Sequence, residues 1–352
     1  MTDLVVPKLG VTLYSFTPYF HARQYTFEDL VRIAAERGLG PGLEIVGFQS
    51  IRDFPALPDG FARWFRTLVE ETGLELSCLG ANADAGLRHD RLLTEDELVE
   101  YMSLQLRAAH ELGFPVARVQ HSVTPQLMAR LLPLAEQLEI KMGMEIHSPH
   151  SVHHPKVQAL IKLYEKEQSP YLGFIPDWGA SLTQLPPSAL QTYREWGVSQ
   201  ELLDAYRDQW DEFHRQPVIR TDAEQGAQFR KMRELNEAFG GDDISVRIGT
   251  NSVGLFGHQR PEDWRLIMPW VVHVHGKFYG IDEHGNEPSV PHNLLLRDLV
   301  EAGYSGYIST EWEGWHWNTT DDPFDMVAAQ HRLSEKIFAQ LREEREAVKH
   351  AG

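Results

Sequence analysis

Glu145, Asp177, His275 and Glu311 carry side chains that bind metals, and each sits at or near the end of a short strand-like stretch. The stretches are Gly143-Met144-Glu145-Ile146-His147, Phe174-Ile175-Pro176-Asp177-Trp178, Val272-His273-Val274-His275-Gly276-Lys277 and Ser309-Thr310-Glu311-Trp312. Three carboxylates and one imidazole make a mostly oxygen-donor shell. That set favours Mn2+, with Mg2+, Co2+ or Zn2+ as alternatives, and argues against a thiolate-type zinc site. Spread over nearly half the chain, the four residues form no local motif. They meet only if the fold gathers four strand ends, which a barrel of parallel strands does at its carboxyl-terminal face.

Strand alternation supports that grouping, because positions two apart share a face. Gly143, Glu145 and His147 share one face, as do Gly173, Ile175 and Asp177. The same holds for His273, His275 and Lys277, and for Tyr307, Ser309 and Glu311. Each prospective ligand thus shares its face with small or functional residues, Ile175 excepted. Met144, Ile146, Val272 and Val274 are assigned to the helix-packed side. His275 is preferred over His273 as the ligand because it lies nearer the strand's carboxyl end and precedes Gly276-Lys277. His273 then becomes a supporting or core histidine. Lys277 reads either as a contact to a substrate oxygen or as a solvated lysine on the rim.

Eight β-rich runs, 9–14, 42–46, 75–80, 116–120, 142–147, 171–177, 270–276 and 306–311, alternate with amphipathic helical segments. The helices carry punctuation. Thr94 and Glu97 form a capping box, Gly113 ends that helix, and Thr124-Pro125 and Asp322-Pro323 place a cap before proline. Alternation without an internal repeat predicts a parallel α/β fold, and eight units favour a closed (β/α)8 TIM barrel formed by residues 1–352 as one domain. The dinucleotide-binding alternative lacks its fingerprint, since Gly38-Leu39-Gly40-Pro41-Gly42 follows a helix and enters a strand. Between strands six and seven lie about 90 residues, where most crossovers are far shorter. This insertion, 178–269, contains helical patterns near 185–212, 222–239 and 261–269, and one β-like run, Val246–Thr250, read as a short strand outside the barrel. Leaving strand six at the catalytic end, the insertion is expected to form a lid or a docking surface for another subunit.

A formal charge of −18 over 352 residues, with no basic patch, excludes a general nucleic-acid role. No run approaches the ~20 apolar residues of a membrane span. The amino-terminal segment lacks a signal-peptide core, so a cytoplasmic location is the expectation. The single cysteine, Cys78, reads as a buried structural thiol.

The chain resembles the sugar phosphate isomerase/epimerase group of xylose-isomerase-like barrels. Within that group it is most similar to the α-subunit of C-glycoside deglycosidases. Met144-Glu145-Ile146-His147, Pro176-Asp177-Trp178-Gly179, His275-Gly276-Lys277-Phe278-Tyr279 and Thr310-Glu311-Trp312-Glu313-Gly314 carry the likeness. The resemblance implies a divalent metal, cleavage of the carbon–carbon bond between a 3-oxo sugar and a phenolic aglycone, and a smaller, β-rich partner subunit in a hetero-oligomer. Such a bond has no oxygen to protonate, so two-carboxylate glycoside hydrolysis is unavailable. A C3 ketone instead acidifies the C2 proton and permits β-elimination of the aglycone. His147 is the candidate base, as an imidazole on Glu145's face, or else a supporting hydrogen-bonding histidine. His121 and His150 are candidates for proton relay or substrate contact. Trp178, Trp312, Trp315 and Trp317 could supply an aromatic wall. The alternative function is a metal-dependent ketose 3-epimerase or sugar isomerase, in which Glu145 and Glu311 themselves move the proton.

Overall fold

A computed structural model describes residues 4–215 and 221–351, apart from the side chains of His121, Val348, Lys349 and Ala351. Eight strands form its centre: β1 (Lys8–Thr12), β2 (Gly42–Val46), β3 (Glu75–Ala83), β4 (Val116–His121), β5 (Lys141–Ile146), β6 (Leu172–Pro176), β7 (Val274–Phe278) and β8 (Tyr307–Trp312). Their order is β6-β5-β4-β3-β2-β1-β8-β7, with every ladder parallel. Parallel bridges Phe174–Val271 and Asp177–His275 bring β6 and β7 together and nearly close the barrel. The result is a TIM-barrel-like α/β fold, and each expected strand run overlaps an observed strand.

Helices α1 (Phe27–Glu36), α2 (Phe61–Thr72), α3 (Glu95–Leu112), α4 (Pro125–Leu138) and α5 (Pro155–Glu167) follow β1 to β5 on the outside. Thr94 and Glu97 cap α3 reciprocally, and Gly113 ends it at φ 95°. A left-handed residue there costs glycine nothing. Where β1 meets β2 the backbones nearly touch: a Cβ on Gly10 would lie 2.6 Å from the Gly42 carbonyl oxygen. No described helix is long and apolar enough to cross a membrane.

The connection from β6 to β7 holds α6 (Pro187–Glu195), α7 (Gln200–Arg215), α8 (Asp222–Ala238) and α9 (Ser245–Gly254). The expected short strand at Val246–Thr250 is therefore wrong, since those residues lie inside α9. Ser245, Ile248, Gly249, Ser252 and Val253 are its buried positions, a spacing of three and four. Over ten residues that helical stripe outweighs the β-branched character of five. The pattern at 261–269 becomes two 3-10 turns, Pro261–Leu266 and Met268–Trp270, so β7 starts later than the sequence suggests. α10 (His292–Glu301) and α11 (Pro323–Ala351) complete the shell. Asp322 caps α11 by accepting from the Phe324 and Asp325 N–H groups.

Two apolar regions are separated by the strands. The main core lies between sheet and helices and includes Met144, Ile146 and Val274. A small cluster of Cys78, Val116 and Ile175 fills the barrel interior as a floor, joined by Val272. Val272 thus faces inward, against the expectation. It precedes the regular part of β7, where strict alternation does not yet hold. Ile175, the exception on the ligand-bearing face, is part of that floor.

Candidate metal centre

Above the apolar floor the barrel interior turns polar. Glu145 is the fifth residue of β5, Asp177 follows β6 directly, His275 is second in β7 and Glu311 fifth in β8. All four are buried, and one ligand atom from each lies within 4.8 Å of the others. His275 Nδ1 is 2.8 Å from Glu145 Oε1 and 3.4 Å from Glu311 Oε2. Asp177 Oδ1 accepts the Gly179 N–H at 2.7 Å, which fixes its carboxylate just past the strand. Only glycine fits at 179, because a Cβ there would lie 2.6 Å from Lys277 Cδ.

The donor set suits a divalent cation on the charges alone. Glu44, Glu145, Asp177, Glu311 and Glu313 are all buried in one chamber whose fixed cations are Arg118 and Lys277. So much desolvated negative charge needs further compensation. Asp177 Oδ2, Glu311 Oε2 and Glu313 Oε2 share a single ammonium, Lys277 Nζ, at 2.7, 3.7 and 3.2 Å. One ammonium among three carboxylates leaves negative charge at the point where Glu145, Asp177, His275 and Glu311 meet, which is what a divalent cation requires.

Protonation follows from the same crowding. Burial pushes the Glu311 carboxyl up to about 8, outweighing the pull of Lys277 and His275, with smaller upward contributions from Asp177 and Glu313. For Glu145 burial acts upward too, but Arg118 and His275 hold it well below the usual carboxylate range. Burial opposes charge on Lys277 and His275, yet the surrounding carboxylates raise both well above their ordinary values. Lys277 is 1 % exposed, so the solvated-rim reading is wrong and the lysine belongs to the interior.

An open cavity of about 280 Å³ lies over these groups, lined among others by Tyr14, Phe48, Asn82, Gln120, His147 and His316. His147 Nδ1 lies against the Ser148 carbonyl oxygen, so that nitrogen carries the proton. Its Nε2 is left as the basic nitrogen, 3.7 Å from Asp177 Oδ2. Leu255 brings the β6–β7 insertion to the same wall. His121 ends β4, but its side chain lies outside the described residues. His150 is away from the cavity, its ring 4.4 Å from that of His154. Trp312 does not line the cavity either. Alternation along β8 turns it opposite to Glu311 into the main core, where it is fully buried with Nε1 3.4 Å from the Tyr279 carbonyl. Trp178 and Trp317 are likewise core residues, and Trp315 packs at the core edge against Tyr14.

Sequence reasoning missed Glu44, Arg118 and Glu313. Arg118 on β4 donates to Glu145 Oε2 at 3.2 Å and to Asn82 Oδ1 at 3.3 Å. Glu44 on β2 lies 3.0 Å from His275 Nε2 and 2.9 Å from His273 Nε2. His273 sits between Glu44 and Ser309. The overlooked signal was a charged residue inside an otherwise apolar strand, as in Gly42-Leu43-Glu44-Ile45-Val46 and Val116-Ala117-Arg118-Val119. Such a residue can only point into a polar barrel interior.

No family model matches the chain. It is 76 % identical over 344 residues to the 3'-dehydrocarminate deglycosidase alpha subunit of a Microbacterium species, covering 98 % of this chain and 99 % of that one. It is 49 % identical to the C-glycoside deglycosidase alpha subunit of Microbacterium trichothecenolyticum, covering 95 % and 90 %. Among solved structures, an L-ribulose 3-epimerase superposes with a TM-score of 0.55 at 12 % identity, covering 97 % of this chain and 98 % of that one. A sugar phosphate isomerase/epimerase from Parabacteroides distasonis gives 0.53 at 15 %, covering 96 % and 97 %. At such identities these structures speak for the fold alone.

Proposed function

The chain belongs to the C-glycoside deglycosidase alpha subunits, and from that premise we propose that it cleaves 3-oxo-C-glycosides by carbon–carbon bond elimination. The observation that carries this reading is the convergence of Glu145, Asp177, His275 and Glu311 beneath an open polar cavity. A divalent cation bound by those four, Mn2+ by preference, would stabilise negative charge developing on substrate oxygen.

The protein's own groups then move the proton. With Nδ1 held by the Ser148 carbonyl, His147 Nε2 takes the C2 proton, which the neighbouring C3 ketone has acidified. The electron pair left at C2 becomes the C1–C2 double bond, and the C1–aglycone bond breaks with its pair going to the aglycone carbon. That carbon takes up a proton, so the products are an unsaturated 3-oxo sugar and the free aglycone, with no net gain or loss of protons. His316, with His147 one of two imidazoles lining the cavity among the described residues, is available for that return. Lys277, kept charged among three carboxylates, offers a donor to a substrate oxygen.

The relatives' designation as alpha subunits supports a hetero-oligomer. We assign the partner as a smaller, β-rich subunit and the β6–β7 insertion as its docking surface or a lid. Incubating the purified chain, together with any partner that co-purifies, with a 3-oxo-C-glucoside and separately with free ketohexoses tests the reaction. Aglycone release from the first and no epimerised ketose from the second is the expected result. Epimerised ketose without aglycone release overturns it.

A further inference from the structure

The groups described so far leave one buried carboxylate without a role. Glu44 projects from β2 into the barrel and is 1 % exposed. It touches no atom of Glu145, Asp177 or Glu311 by hydrogen bond; its partners are two histidines of the strand-seven segment. Oε1 lies 3.0 Å from His275 Nε2, and Oε2 lies 2.9 Å from His273 Nε2. Ser309 Oγ, 2.9 Å from the same His273 nitrogen, closes the network on the β8 side.

We propose that Glu44 is a positioning residue that fixes the tautomer of His275. The inference rests on the metal reading given above. An ionised carboxylate only accepts hydrogen bonds, so the His275 nitrogen facing it must carry a proton. Glu145 Oε1 lies equally close to Nδ1, so without an ion both ring nitrogens face carboxylates. An ion held by Glu145, Asp177, His275 and Glu311 would replace the Nδ1 proton, and Glu44 keeps the remaining one on Nε2, so that Nδ1 is the nitrogen free to ligate. A carboxylate behind a ligating imidazole also raises the donor strength of the opposite nitrogen. Burying a carboxylate at this depth is costly, and the two histidine N–H groups account for it. His273 hydrogen-bonds Glu44 and Ser309 and sets its ring edge-on 5.9 Å from that of His275, so its place is to hold the second oxygen and stop the carboxylate turning away from His275.

A glutamine at position 44 breaks this logic at nearly constant shape. Its amide offers one acceptor oxygen to two histidines, and its NH2 presents a donor to a ring nitrogen that should itself donate. The full chain, purified with any partner that accompanies it, is titrated with Mn2+ while free ion is counted by electron paramagnetic resonance. Glu44→Gln should bind Mn2+ about 10- to 100-fold more weakly than the wild type, the usual range for losing such a partner. Glu145→Ala should bind none. If wild type binds no Mn2+, or Glu145→Ala binds as wild type does, the metal reading fails and takes this role with it. If Glu145→Ala loses the ion while folded Glu44→Gln matches wild type, the positioning role alone is overturned. A second measurement needs no substitution. In Zn2+-loaded wild type with 15N-labelled histidine, one- and two-bond correlations should place the His275 proton on Nε2. A proton on Nδ1 contradicts the proposal even if Glu44→Gln fails to fold.

Discussion

The two halves of the barrel do different work. β5 to β8 contribute Glu145, Asp177, His275 and Glu311, the groups that converge on one point. β1 to β4 contribute Glu44, Asn82 and Arg118, which hold those groups from behind, and Tyr14, Phe48 and Gln120, which wall the cavity. The division explains how five buried carboxylates coexist. The second half presents four of them at or just past strand ends around Lys277, and the first half supplies the fifth, Glu44, with the buried guanidinium of Arg118. Two of the prospective ligands, Glu145 and His275, are thus hydrogen-bonded to strands that carry none of their own.

The comparison breaks most severely if either half can be altered without consequence. Glu145→Ala or Glu311→Ala should remove metal and turnover together, with a loss of about 10³-fold or more, as for other deletions of transition-state stabilisers. Elemental analysis beside aglycone release checks this. His147→Ala should lower turnover by about 10²- to 10⁴-fold while metal content stays at the wild-type level. Loss of the ion as well would move His147 from base to ligand support. In the other half, Arg118→Met removes one partner of a buried pair. The metal-free protein should lose about 3–5 kcal/mol in stability, part of which returns on adding Mn2+. Paired thermal melts with and without the ion measure it.

Smaller effects sharpen the same division. Without metal, Glu311 is pushed up to about 8 by burial, and His275 stands well above its ordinary value because its carboxylate neighbours outweigh burial. Both are therefore protonated at neutral pH and must release protons when an ion binds. Affinity should rise with pH up to about 8, with one to two protons released per ion near neutrality, measured by calorimetry in two buffers of different ionisation enthalpy. Phe48 lines the cavity yet is 59 % exposed. If it stacks on the aglycone, Phe48→Ala should raise KM by about 2- to 10-fold, matching an aromatic contact of about 0.5–1.5 kcal/mol, with kcat and thermal stability unchanged.

The same division marks what the sequence made legible. Strand-end residues in β5 to β8 stand out because alternation puts them on one face with glycines and other functional groups. Glu44 and Arg118 stand mid-strand, and a single charge between apolar neighbours reads as ordinary alternation until the barrel encloses it. Val246–Thr250 misled because five residues fit a period of two, whereas the stripe of Ser245, Ile248, Ser252 and Val253 needs ten residues to appear. Trp312 misled for a simpler reason. Aromatic character suggested a substrate wall, but its parity relative to Glu311 already directed it into the helix-packed layer.

The most direct test is anomalous diffraction from crystals of the protein prepared with Mn2+. The account predicts one strong manganese peak coordinated by Glu145, Asp177, His275 through Nδ1, and Glu311. A peak elsewhere, or none at these four residues under saturating Mn2+, would contradict it.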